Sequence, residues 1–320
     1  MRAAHLMDSG FVQPQPAAAP PSAVAQPASV AVLPVGATLQ ARPAPAAPMP
    51  YRASPWSWLQ GKLAVWLLGA VSIGSVLLVW HLATLYRLDL YIRFNNIPTP
   101  AEVMKKVVEV NQSIKFLTSI GISVRRILIG FAVAAVLGVA LGIVIGRYRL
   151  ARLLAMPALE VFRPIPAIAW VPMSIMLWPS NEVSIVFITF LGAFFPILLN
   201  TVHGVEALDP VLLRAARSLG ASEGRLLWNV VLPGALPHVF TGLTVGMGVA
   251  WVSLIAAEMI SGQFGIGYFT WEAYSLITYA EIALGMITIG VLGLLCSGAL
   301  RLAGRVVMPW LAYGSTQGRS

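Results

Sequence analysis

The sequence predicts an all-α integral membrane protein of about six transmembrane helices, with one cytoplasmic helical loop between the fourth and fifth. Three observations predict it. Hydrophobic residues make up 58% of the 320 and charged residues only 10%, against about 25% charged in soluble domains. Six apolar runs approach the roughly 20 residues that a helix needs to cross a hydrocarbon core. Segments of about ten residues alternating apolar and polar, the mark of a membrane β-barrel, are absent.

The elements follow in chain order. Residues 1–55 are rich in Ala and Pro, as in QPQPAAAPPSAVAQPAS. Proline blocks helix, and few large side chains are present to offset ordering entropy, so this arm reads as disordered and cytoplasmic. It lacks the charged start, apolar middle and cleavage site of a secretory signal. Residues 56–126 hold the first span, 63–85, and an external amphipathic segment. There Pro98-Thr99-Pro100 leads into AEVMKKVVEV, a short helix lying on the membrane surface. A core of 127–310 holds spans at 127–145, 155–178, 185–202, 239–260 and 282–300, and 311–320 form a cytoplasmic tail. Pro157, Pro164, Pro166 and Pro172 fall inside the third span. It should therefore kink, and its freed carbonyls must face protein or a watery path.

The formal charge of +9 fits the membrane reading better than nucleic-acid binding, because the basic residues are dispersed in loops and at helix ends rather than striped. With both termini inside, fourteen of the 21 Lys and Arg face the cytoplasm and seven the outside. The outer seven are Arg87, Arg93, Lys105, Lys106, Lys115, Arg125 and Arg126, all assigned to one long connection. The one cysteine, Cys296, lies in an apolar run and reads as packing.

Residues 205–237 are then a cytoplasmic loop. Asp209 can cap a helix that starts at Pro210. Leu212, Ala215, Ala216 and Leu219 share one face, and Arg214, Arg217 and Ser218 the other. Gly220 supplies a turn open to positive φ, followed by Ala221. Ser222 can cap a second helix, which Leu232-Pro233 ends.

This stretch, RAARSLGASEGRLLWNVVLP, resembles the Glu-Ala-Ala loop of permease subunits in ATP-binding-cassette importers. Arg214-Ala215-Ala216, three residues, Gly220, nine residues, then Val230, Val231 and Leu232-Pro233 match that pattern at every spacing. Arg214 stands where the pattern has glutamate, so a salt bridge of that glutamate does not carry over. RPIPAIAWVPMSIMLWPSNEVS, FFPILLNTVHGVEALDP and AAEMISGQFGIGYFTWEAY are similar to the subfamily for nitrate, sulfonate, taurine or bicarbonate. The resemblance covers about 63–310 and leaves the arm unexplained. It implies a type I importer permease fold in the lipid bilayer of the bacterial inner membrane. It also implies two permease copies, two ATPase subunits, a soluble binding protein outside, and alternating access. The loop would be the coupling helix that docks on the ATPase. A phosphate-binding GxxxxGK[ST] loop is absent from this sequence. The chain is therefore expected to be a transport subunit rather than an enzyme, binding no cofactor or metal itself, with ATP and Mg used by the partner.

Candidate pathway residues are fewer. Glu258, in LIAAEMI, is an acid at membrane depth, costly unless functional or paired. It reads as a gate or a structural pair, since it would repel an anionic substrate. Glu160 and Arg163, three apart, can pair with each other, or Arg163 can face an anion. Trp170 can shape a pathway or pack. Asn200, Thr201 and His203 close the fourth span and can bond a passing anion or cap the helix. Gly262, Gly265 and Gly267 in SGQFGIGYF allow a tight external turn, which the resemblance places against the partner copy or the binding protein. The alternative function is an ion-coupled secondary transporter or channel without an ATPase, for which the sequence offers no convincing inverted repeat. An intramembrane enzyme finds no catalytic pair or metal cluster.

Overall fold

The computed structural model describes residues 55–86, 96–111 and 113–310. The expectations for the arm, for the tail and for Arg87 and Arg93 lie outside the described residues. Among the described residues every regular element is helical, as the sequence predicts. Five helices are long and apolar enough to cross a membrane, or six if a bent pair is counted as one span.

Helix α1 (Pro55–Leu85) carries apolar side chains on all sides over Leu63–Leu85. Trp66 and Leu68 are exposed, as are Val71, Ile73 and Val79, and burial begins only at Ala83 and Thr84. A helix this apolar with so little protein against it is built for a lipid surround. Near its end the Trp80 indole N–H donates to the Pro98 carbonyl at 3.1 Å. Helix α2 (Pro100–Asn111) starts at a reciprocal cap. The Thr99 N–H donates to the Glu102 carboxylate at 2.9 Å, and the Glu102 N–H donates to the Thr99 hydroxyl at 3.2 Å. Its Lys106 pairs with Glu109 at 3.2 Å and with Glu281 at 3.1 Å. The hydrogen bond to Glu281 leads in holding that ammonium above the ordinary lysine range.

The centre is built from α3 (Ile114–Arg147), α6 (Asn181–Glu206) and α9 (Leu232–Ser261). On α3 the buried residues Ser119, Ser123, Ile127, Gly130, Ala134, Gly138, Gly142 and Ile145 recur at helical spacing and form one stripe. Ile185, Ile188, Ala193 and Ile197 of α6 and Met247, Ala250, Trp251 and Leu254 of α9 complete the core. Lipid tails are as apolar as leucine, so helices here associate by close packing rather than by escape from water. The α3–α6 contact shows this: a Cβ on Gly142 would lie 2.6 Å from the Thr201 Cβ, and one on Gly138 would lie 2.9 Å from the Ile197 Cγ2. Gly142→Leu should therefore force the two helices apart, at a cost of about 1–3 kcal/mol. A lower melting temperature in detergent checks this; an unchanged one counts against the close contact.

Two expectations need correction. The sequence predicts the second span at 127–145, but α3 is continuous from Ile114. Lys115, Arg125 and Arg126, which the sequence assigns to one external connection, lie on α3. Each instead meets an acid on another helix: Lys115 with Glu272 at 3.0 Å, Arg125 with Glu182 at 3.5 Å, and Arg126 with Glu258 at 2.9 Å. The fifth span was expected to follow a helix end at Leu232-Pro233. The chain instead runs through as one length, Glu223–Ser261.

The third span is broken, as its prolines require. Helix α4 (Arg149–Phe162) is followed, across an 82° bend, by a tight 3-10 turn at Ala167–Trp170 and α5 (Val171–Leu177). Pro164 and Pro166 occupy the break. Helix α5 is held to α6 where the Ser184 hydroxyl donates to the Ser174 carbonyl at 2.8 Å. Helices α10 (Ile266–Ser275) and α11 (Tyr279–Val307) complete the chain.

Candidate functional site

Three groups of residues stand out, one at each end of the bundle and one between. At one end is the helical knob between α6 and α9. Helix α7 (Pro210–Ser218) begins as its sequence dictates: the Asp209 side chain accepts from the Val211 N–H at 2.8 Å, and Pro210 takes the first turn. It ends at Gly220, φ +80°. The Gly220 N–H donates to the Arg217 carbonyl at 2.9 Å and the Ala221 N–H to the Ala216 carbonyl at 3.1 Å, the paired bonds that close a helix on a left-handed residue. Ser222 then caps α8 (Glu223–Leu226).

The knob is fastened on two sides. Glu223 accepts from Arg217 Nε at 3.1 Å and Nη2 at 2.9 Å, and from Arg147 Nη2, at the end of α3, at 2.6 Å. On the other side a π turn at Leu227–Val231 leads straight into α9. The wider turn lets Pro233, which has no N–H to give, sit in the first turn of α9 without ending the helix. Leu213 packs on Val205, Val231 and Ala235. The face that carries Leu212 and Leu219 is exposed, Leu219 at 89%. Trp228 is exposed as well. Arg217 is engaged within the chain, whereas among the described residues Arg214 forms no ion pair.

Between the ends lies a cavity of about 430 Å³. The break in the third span supplies Arg163, Pro166 and Trp170 to it; α6 supplies Asn200 and His203, and α9 supplies Val245 and Val249. The kinked span and the polar end of α6 therefore meet, as a watery path requires. Four of the sequence candidates, Arg163, Trp170, Asn200 and His203, come together here. Thr201 does not: it is buried against Gly142 and its hydroxyl donates to the Ile197 carbonyl at 2.8 Å. Among the described residues no Glu160–Arg163 ion pair forms; Glu160 lines a separate surface hollow with Arg149 and Arg152.

At the other end is a buried charge cluster around Glu258, which is fully buried. Its carboxylate accepts from Arg126 Nη1 at 2.9 Å, from the Ser123 hydroxyl at 2.8 Å and from the Gly267 N–H at 2.9 Å. Ser123 in turn accepts from the Ile266 N–H at 2.9 Å. Arg126 also donates Nη1 to the Phe264 carbonyl at 2.6 Å and Nε to Glu182 at 3.0 Å, and its Nη2 pairs with the same carboxylate. Both carboxylate oxygens of Glu258 and all three guanidinium nitrogens of Arg126 are engaged, which is what makes a charge at this depth tolerable. The glycine turn faces this cluster. Gly265, φ +121°, presses its backbone against the Glu258 carboxylate, and a Cβ on Gly267 would lie 2.6 Å from the Ile255 carbonyl oxygen. Gly262 closes α9, its N–H donating to the Glu258 carbonyl at 3.2 Å. The close approach that calls for these glycines is therefore within the chain.

Sequence reasoning missed Arg126, Ser123 and Glu182. A signal was present: the starts of spans two and four and the end of span five share one side of the predicted topology, so an Arg, a Glu and a lone acid had to lie near one another.

A family profile described as binding-protein-dependent transport system inner membrane component matches residues 136–313. The chain is 32% identical over 249 residues to a nitrate import permease of Synechocystis sp., covering 75% of this chain and 88% of that one. It is 29% identical over 267 residues to the taurine transport system permease of Escherichia coli, covering 82% and 94%. It is 39% identical over 174 residues to a bicarbonate transport system permease of Synechococcus elongatus, covering 54% and 63%.

Proposed function

The chain belongs to the binding-protein-dependent transport system inner membrane components, and on that premise we propose that it is the permease subunit of an ATP-driven importer for a small anion of the nitrate, taurine, sulfonate or bicarbonate class. The observation that carries this reading is the knob: a rigid, surface-exposed turn at Gly220, tied to α3 through Glu223 and continuous with α9. A separate ATPase docks there and uses ATP and Mg itself; this chain binds neither. Leu212, Leu219, Trp228 and Arg214 face that partner. Its closure moves the knob, and because α8 and α9 are one length, the push reaches the Glu258 turn at the far end. A second copy of the chain completes the pathway, and an external binding protein delivers the anion. The protein sits in the inner membrane with both termini cytoplasmic. The ion-coupled carrier has no counterpart among the named relatives, each of them a permease.

Arg163 is the cation on the cavity wall, with the Asn200 amide opposite. The Asn200 Nδ2 donates to the Pro196 carbonyl at 2.8 Å, which leaves its second amide hydrogen for a solute. Pull-down of the tagged chain from its native membrane should bring an ATP-binding-cassette ATPase with it, and the reconstituted complex should take up one of these anions on addition of ATP. Arg163→Gln should cut that uptake roughly tenfold, the loss of one charge-assisted hydrogen bond, with the complex intact. Recovery of the chain without an ATPase would overturn the reading.

A further inference from the structure

A cavity larger than the one beside Arg163 lies elsewhere on the molecule. It is a groove of about 690 Å³ between α9 and α11, lined by Pro237, Phe240, Thr244, Leu300, Gly304 and Met308 among others. Its floor is tight: a Cβ on Gly304 would lie 3.0 Å from the Phe240 ring. Its polar atoms are spoken for along most of its length. The Thr241 and Thr244 hydroxyls donate to the Pro237 and Phe240 carbonyls, each at 2.9 Å. The exceptions are Arg301 and Arg305, one helical turn apart on α11, both exposed on the groove wall.

Among the described residues neither guanidinium meets a carboxylate. The acids of this end are committed elsewhere: Glu206 to Arg152 at 2.5 Å, Glu223 to Arg147 and Arg217, and Asp209 to the Val211 N–H. Glu160 lines a different hollow. The groove is thus an apolar slot ending in two uncompensated cations, beside a membrane leaflet. Its chemistry is complementary to an amphiphile with an acyl chain and an anionic head.

We propose that this groove holds an anionic phospholipid of the cytoplasmic leaflet, its phosphate bridging Arg301 and Arg305 and its acyl chain lying between α9 and α11. Two arginines at one turn's separation suit the oxygens of a phosphate, which accept forked N–H donors. A zwitterionic lipid with the same chains keeps the apolar contact but brings its own cation against the two arginines.

The test is native mass spectrometry of the full-length protein with phosphatidylglycerol or phosphatidylcholine of identical chains. The wild type should retain phosphatidylglycerol with roughly tenfold preference, and that lipid should raise its melting temperature. R301Q/R305Q should lose the preference. R149Q/R225Q, which removes two other basic residues of the cytoplasmic side, should keep it. T244W, which fills the groove with both arginines in place, should shed the lipid. Equal preference in the wild type and R301Q/R305Q overturns the proposal. So does loss of preference in R149Q/R225Q, which would mean general charge attraction. Quantitative disulfide linkage of T241C chains in a C296S background would put a second copy in the groove and would also overturn it.

Discussion

Replacing Arg126 with leucine is expected to remove most of the folded protein from the membrane. The Arg126 side chain is 2% exposed and Glu258 not at all. Leucine keeps the apolar stem but leaves the carboxylate with only the Ser123 hydroxyl and the Gly267 N–H. Removing one partner of a buried pair typically costs about 3–5 kcal/mol, a large share of the roughly 5–15 kcal/mol that holds a domain folded. The loss is also spread widely. Arg126 joins α3 to Glu182 on α6, to Glu258 on α9 and to the Phe264 carbonyl in the turn before α10. Size-exclusion profiles and melting curves in detergent read the outcome. Arg126→Leu with Glu258→Leu should recover part of the loss, because no unpaired charge then remains. A wild-type melting temperature in Arg126→Leu alone would show that the cluster does not hold the bundle.

Reversing Glu223 to lysine should separate ATP hydrolysis from uptake. Glu223 is the one acid between Arg147 and Arg217, so the change puts three cations together and frees the knob from the end of α3. The assembled complex should still hydrolyse ATP, while uptake falls by roughly tenfold or more, within the range by which two linked sites commonly influence each other. Gly220→Val should act in the same direction, since a β-branched residue at φ +80° strains the turn that sets the knob's shape. Uptake and hydrolysis measured on the same reconstituted vesicles decide the matter. Equal falls in both would mean failed assembly, and full uptake would mean that the tie to α3 is dispensable.

Much of the architecture was legible because it follows from local rules. Apolar length marked the spans, prolines marked the break, and Asp209-Pro210 and Gly220 marked the start and end of α7. What was not legible depends on partners distant in the chain. Arg126 sits beside Arg125 before an apolar run and looks like a loop charge; its burial rests on Glu258, 132 positions on. Leu232-Pro233 looks like a stop, but a π turn absorbs the missing N–H. The packed face of α7 could not be chosen from periodicity alone, because both faces of so short a helix carry leucines, and the neighbours at Val205 and Ala235 select Leu213. The pathway candidates divided for the same reason. Asn200 and Thr201 are adjacent, yet a rotation of one residue puts the first on the cavity and the second against a glycine of α3.

The bareness of α1 bears on how the chain is threaded. A helix that packs so little contributes direction rather than cohesion. With the bent pair counted as one span, it brings the candidate crossings to six. Cutting it away would leave the central contacts among α3, α6 and α9 as they stand. It would also change by one the number of candidate crossings that precede the knob at Gly220.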